Sequence, residues 1–66
     1  MQIVLNGRVT SVDESITLGG LIDTFTSDRR GIAVALNGEV ITRSSWDNHQ
    51  IKDDDAVEVL SIAAGG

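Results

Sequence analysis

Sixty-six residues allow one domain, and a chain this short buries only about 60% of the surface it exposes when unfolded, so its core has little margin. It has no cysteine, no tyrosine and one histidine, His49, which excludes disulfides, thiolate metal sites and a cysteine nucleophile and leaves little for side-chain catalysis. Ten acidic against five basic residues give a net charge of −5, which argues against nucleic-acid and anionic-membrane partners and favours a partner with a basic face.

The opening MQIVLN has no positive n-region and no long apolar run, so no signal peptide is expected. No stretch approaches the ~20 apolar residues of a membrane helix, and the predicted location is the cytoplasm. MQIVLN is rich in strand-forming residues and is followed by Asn6-Gly7 and RVTSV. An Asn-Gly pair between two such runs predicts a hairpin, because both central residues of a type I′ turn need positive φ. The strands are expected near residues 1–6 and 8–12.

In DESITLGGLIDTFTSD, Leu18, Leu21, Ile22 and Phe25 fall at i, i+3, i+4 and i+7, one face of a helix. Thr17 is the expected N-cap. Gly19 and Gly20 each weaken a helix by about 1 kcal/mol relative to alanine. They mark either a weak start held by tertiary packing or a close backbone approach by a neighbouring strand or a partner. The run Asp28-Arg29-Arg30-Gly31 is expected to close the helix. Gly31 would make the left-handed turn, and the two arginines would form a solvated end suited to the helix dipole.

IAVALNGEVIT repeats the hairpin pattern around Asn37-Gly38. RSSWDNHQIKDDD is polar and irregular, with room for one helical turn at Trp46. Trp46 is read as a core plug, with an exposed partner contact as the alternative. AVEVLSI is the last strand, introduced by Asp53-Asp54-Asp55. Those acids lack the spacing of a calcium loop and read as a solvated turn. His49 has no nucleophile or second base near it in sequence and reads as a surface residue.

The predicted order is strand, strand, helix, strand, strand, irregular, strand. One apolar helix face must cover one face of the sheet, giving an α+β roll. Ile3, Leu5, Val34, Leu36, Val57 and Val59 are the expected inner face, and Ala33 and Ala35 point the other way. If Val57 and Val59 face the helix, then Glu58, Leu60 and Ile62 face outward, and Leu60 and Ile62 form an apolar patch leading to the tail. That patch is the candidate docking surface.

The tail itself is Ala63-Ala64-Gly65-Gly66. Nothing in it exceeds a methyl side chain, and four extended residues reach at most about 14 Å. It could be an idle frayed end or a slender probe for a narrow tunnel.

These segments together resemble the thiamine-biosynthesis sulfur carriers, the ThiS family of the ubiquitin-like β-grasp superfamily. MQIVLNG resembles the family's first strand and turn, and SITLGGLID its threonine-led helix. VALNGEVITRSSW resembles its central block, and IKDDDAVEVLSIAAGG its acidic turn, last strand and Gly-Gly end. Two positions depart: Thr42 stands where the family often has proline, and Asp54 where it commonly has glycine. The resemblance implies a β-grasp domain over 1–62, with a mixed sheet of four to five strands wrapping one helix. It also implies a flexible tail over 63–66.

The resemblance further implies a non-enzymatic carrier, monomeric when free, that serves as co-substrate of other enzymes. A ThiF-type adenylating enzyme would bind ATP and Mg²⁺, which this chain does not bind itself, and would adenylate the Gly66 carboxylate. Sulfur from a donor such as a cysteine desulfurase would give a thiocarboxylate, which a ThiG-type thiazole synthase would consume. Gly65, Ala64 and Ala63 would thread the partner's tunnel. Composition agrees: with no cysteine, the chain has no side-chain thiol on which to hold sulfur. The alternatives are a molybdopterin-synthase small subunit, a carrier for cysteine or tRNA thiolation, a protein modifier, or a β-grasp binding module with an idle tail.

Overall fold

Both Asn-Gly pairs turn the chain as their sequence requires. In the computed structural model, which describes residues 1–62, φ is 50° at Asn6, 82° at Gly7, 51° at Asn37 and 85° at Gly38. Positive φ at both central residues is the type I′ condition. The turns pair β1 (Gln2–Leu5) with β2 (Arg8–Ser11), and β3 (Ile32–Leu36) with β4 (Glu39–Ile41). The last strand, β5 (Ala56–Ser61), enters between the hairpins, parallel to β1 and antiparallel to β3. The sheet order is β2-β1-β5-β3-β4.

The two turn asparagines also hold this central strand. Asn6 Oδ1 accepts a hydrogen bond from Val59 N at 2.8 Å. Asn37 Oδ1 accepts one from Ala56 N at 2.8 Å, and its Nδ2 donates to Asp55 Oδ1 at 3.0 Å. A residue that tolerates positive φ and carries both an acceptor and a donor is therefore used twice.

One face of the sheet is covered by α1 (Leu18–Asp23). Thr17 caps it as expected: its Oγ1 accepts from Gly20 N at 3.0 Å. Leu18, Leu21 and Ile22 pack with Ile3, Val34, Leu36 and Val57 in the core. Leu5 and Val59 lie at its margin, half-buried, so the expected inner face stands. Trp46 closes the core from a 3₁₀ helix over Arg43–Asn48, with its Nε1 donating to Ile41 O at 2.9 Å. A buried indole needs such a partner.

The helix is shorter than its sequence pattern. It ends at Asp23, and Phe25 is 51% exposed rather than packed on the core. Thr24 Oγ1 donates to Leu21 O at 2.6 Å, and Phe25 N donates to Ile22 O at 2.9 Å, a tightened final turn. After Phe25 the chain offers Thr, Ser, Asp and Arg, with no apolar side chain to hold another turn against the sheet. Asp28-Arg29-Arg30-Gly31 therefore does not close the helix. Gly31 does adopt left-handed backbone, at φ 75°, but it turns the chain into β3. The arginines do not serve the helix dipole. Arg29 binds Asp23 and Asp47, each at 2.9 Å, and Arg30 binds Asp28 at 2.9 Å.

Thr42 and Asp54, the two departures from the resembled pattern, hold backbone angles that proline and glycine would also adopt. Thr42 has φ −67°, the value a proline ring would fix. Asp54 has φ 68°, in the left-handed region that glycine enters freely.

Candidate functional site

The alternation of β5 sets what each face presents. Val57 pairs with Leu5 and Leu36, and Val59 pairs with Val34, all on the helix side. Glu58, Leu60 and Ile62 are exposed, as the period of two predicts. Leu60 is 59% and Ile62 58% accessible.

The register widens this patch beyond the residues the sequence singled out. Leu60 lies opposite Ala33, Glu58 lies opposite Ala35, and Ala35 lies opposite Val40. Val40, at 74% accessible, thus joins Leu60, Ile62 and the two alanines on one face of the sheet, with Glu58 among them. Alternation from the Asn37-Gly38 turn would have placed Val40 outward. Its nearness to Leu60 required knowing that β5 lies beside β3. A contiguous apolar surface with one acid suits an apolar partner face that carries a basic group.

This face leads to the C-terminal segment. Ile62 N donates to Gly31 O at 2.7 Å, on the β3 side of β5. On the other side, β1 pairs with β5 only at Ala56 and Val57, and the Asn6 side chain supplies the contact at Val59. Gly66, Gly65, Ala64 and Ala63, the expected carrier and threading residues, lie outside the described residues.

Several other polar groups hold the fold together. Asp53 Oδ1 accepts from Gln2 N at 3.0 Å, and Asp55 Oδ2 accepts from Lys52 N at 2.8 Å. The acidic turn thus ties its own backbone and the start of β1. Among the described residues no cluster of three His, Asp or Glu side chains could hold a metal ion. Asp47 is not a partner for His49; it faces the Arg29 guanidinium through both oxygens, at 3.0 and 2.9 Å. Hydrogen bonding to Arg29 lowers the Asp23 and Asp47 carboxyls below the usual range. Asp28 is lowered to about 2, first by the Arg30 side chain and then by the Arg30 backbone N–H.

The clamp also explains Gly19. A Cβ there would fall on Asp47 Oδ1 and 2.8 Å from an Arg29 terminal nitrogen. Of the two readings of the paired glycines, packing of the helix start on the core is what the described residues show; no strand lies against Gly19, and what a Cβ there would meet are the ends of the Asp47 and Arg29 side chains. At Gly20 the neighbours are Ile16 and Thr17 side-chain atoms at 3.3 and 3.4 Å. No helix among the described residues is long and apolar enough to cross a membrane.

Known proteins share this architecture and sequence. The ThiS family profile matches residues 3–66, through both terminal glycines. The sulfur carrier protein ThiS of Escherichia coli is 27% identical over 66 residues, all of both chains. A thiazole synthase of Paramagnetospirillum magneticum is 30% identical over all of this chain, which spans 20% of that protein's length. The crystal structure of a thiamine biosynthesis protein, ThiS, from Geobacter metallireducens superposes with a TM-score of 0.84 at 36% identity, covering both chains fully. A solution structure from the same organism gives 0.80 at 36% identity, covering all of this chain and 88% of that one.

Proposed function

The chain belongs to the ThiS family, the sulfur carriers of thiamine biosynthesis, and from that premise we propose that its Gly66 α-carboxylate is the group that bears the sulfur. The observation that carries this reading is the family match running through Gly65 and Gly66, directly beyond a strand that ends in an exposed apolar face.

The chemistry needs little from the carrier. An α-carboxylate has a reference pKa of about 3.3–3.7 and is ionised at neutral pH. One oxygen attacks the α-phosphorus of ATP held with Mg²⁺ on a ThiF-type adenylating enzyme, and the bond to pyrophosphate breaks. Sulfur at the sulfide level, drawn from cysteine by a desulfurase with a reductant, attacks the carbonyl carbon. AMP leaves, and a thiocarboxylate remains. Absence of a Cβ at Gly65 and Gly66 lets the partner's backbone and the nucleotide approach closely. The carrier itself catalyses nothing; it positions a nucleophile and later a sulfur donor.

A ThiG-type thiazole synthase is the acceptor. The length of this chain that is matched within a Paramagnetospirillum thiazole synthase supports that pairing. The face of Leu60, Ile62 and Val40 docks both partners, with Glu58 meeting a basic group. The chain acts as a monomer in the cytoplasm. The test is deletion of Gly66. The shortened chain should fold normally and fail to support thiazole formation by the activating enzyme and synthase. Thiazole formation at the intact rate would overturn the reading.

A further inference from the structure

We propose that Arg30 and Arg43 form a basic corner at the end of β5 from which the chain runs on to Gly66, and that this corner seats against carboxylates bordering the site that receives the C-terminal segment on a partner protein. The proposal deepens, and rests on, the reading that Gly66 is presented to partner enzymes.

The net charge of −5 is unevenly placed along β5. Asp53, Asp54 and Asp55 make the turn into the strand, and Gln2 lies against that turn, its N donating to Asp53 Oδ1 and its O accepting from Asp54 N. Val12 N donates to Met1 O, which brings Asp13 and Glu14 to the same end. Glu14 lines a pocket there with Lys52 and Asp53. Five of the ten acidic residues thus gather where β5 begins, against Lys52 and the Met1 ammonium.

Where β5 ends, the balance reverses. Ser61 faces Ile32, and Ile62 N donates to Gly31 O, with Arg30 the next residue back. Ile41 faces Val34, so Arg43, two residues on, comes level with Ile32 and Ser61. Arg30 binds Asp28 at 2.9 Å, yet its side chain is 82% exposed. Arg43 is exposed and, among the described residues, has no ion-pair partner. The corner is one neighbourhood: the Arg43 charge acts on the Asp28 carboxyl that Arg30 binds. Two arginines against Asp28 leave one net positive charge. The other charges do not cancel it at this corner. Arg29 is taken up by Asp23 and Asp47 against Gly19 of the helix, and Arg8 and Glu39 both come level with Val57 in mid-sheet.

Distance decides which charges a partner feels. The six residues of β5 span about 17 Å, roughly twice the Debye length of about 8 Å at physiological salt. A partner that meets the C-terminal end feels the arginines, while the acids at the far end are screened. Exposed Ile62 lies at the same corner, so the surface that fits is an apolar seat with an acidic border. A guanidinium meets a carboxylate through two parallel hydrogen bonds. One net positive charge on a chain of −5 is too little to hold a nucleic acid, which favours protein carboxylates as the occupant. Net charge alone favours a basic partner face. That holds for Glu58 in mid-strand, and the C-terminal corner takes the opposite sign.

The test compares Arg43→Glu with Lys52→Glu, which changes net charge equally at the opposite end. Both side chains are exposed and make no hydrogen bond or ion pair among the described residues, so both variants should keep the parent Tm. Association of each full chain with the activating enzyme is followed by stopped flow at about 0.15 M and about 1 M salt, where the Debye length falls to about 3 Å. Arg43→Glu should associate about fivefold more slowly at the lower salt and within about twofold of the parent at the higher. Lys52→Glu should match the parent at both. Equal slowing by the two variants would reduce the effect to net charge and overturn the proposal, as would an unchanged rate in Arg43→Glu. The difference between the variants should persist without Mg-ATP. Its appearance only with nucleotide bound would assign the arginine to phosphate instead of protein carboxylates.

Binding is read here without sulfur transfer. A chain that associates as expected yet gains no sulfur fails the Gly66 reading alone. A chain that gains sulfur while the two variants associate alike fails this proposal alone. A parent chain that does not associate at all overturns the docking corner.

Discussion

Replacing Asn6 separates the two uses of a turn asparagine. Asn6→Ala loses the 2.8 Å bond to Val59 N, a net of about 1 kcal/mol for an ordinary hydrogen bond. It also places alanine at φ 50°, which costs alanine roughly 1 kcal/mol. The sum is about 2 kcal/mol. A 66-residue domain has a total stability of about 3–10 kcal/mol, so the loss is a substantial fraction. Asn6→Gly keeps the turn and loses only the clasp, costing about 1 kcal/mol plus a few tenths for the freer unfolded chain. Asn6→Asp keeps the acceptor for Val59 N and should cost least. Urea unfolding reads the order directly: with a slope near 1 kcal/mol/M, the alanine variant's midpoint falls by about 2 M and the glycine variant's by about 1 M. Equal midpoints for alanine and glycine would show that strain contributes nothing. A glycine variant as stable as the parent would show that the clasp on β5 contributes nothing.

Gly19→Ala should not bring the helix gain of about 1 kcal/mol that propensity assigns, because its Cβ would displace the Asp47–Arg29 pair. In an Asp47→Ala background that gain should appear in urea midpoints, and its absence there would refute the steric account. Acid stability follows from the ion pairs. Carboxyls whose folded pKa is depressed stabilise the fold above their unfolded value of 3.8 and cease to do so as pH falls toward the folded value, about 2 for Asp28. The urea midpoint should therefore drop between pH 4 and pH 2, and Arg30→Ala should flatten that drop; an unchanged profile would mean the Asp28 pair does not persist in solution. Leu60→Asp, on an exposed site, should leave Tm nearly unchanged while weakening binding to both the activating enzyme and the synthase. A large fall in Tm would place Leu60 in the core.

Much of this fold was legible because its signals are local. Asn-Gly turns, a threonine cap and the alternation of the strands need no knowledge of distant residues. Trp46 was legible as a core residue because so large an apolar ring in a small chain has few other places to go. The helix end was not legible. Phe25 completes the i, i+3, i+4, i+7 pattern, but the threonine before it bonds back to Leu21, and nothing beyond it anchors another turn. The Arg29 clamp was invisible because Asp23, Arg29 and Asp47 meet only through tertiary contacts. The exposed apolar face was half legible: Leu60 and Ile62 follow from alternation within β5, whereas Val40 joins them only once β5 lies between the two hairpins.

The central claim concerns the carbonyl carbon of Gly66, and intact-mass measurement tests it most directly. The full chain is incubated with the activating enzyme, Mg-ATP and a sulfur donor, beside a known carrier as positive control. The account predicts a mass increase equal to one oxygen-for-sulfur exchange, located at Gly66 by fragmentation and absent from the chain lacking that residue. An unchanged mass while the control is converted, or sulfur found at any other position, would contradict it.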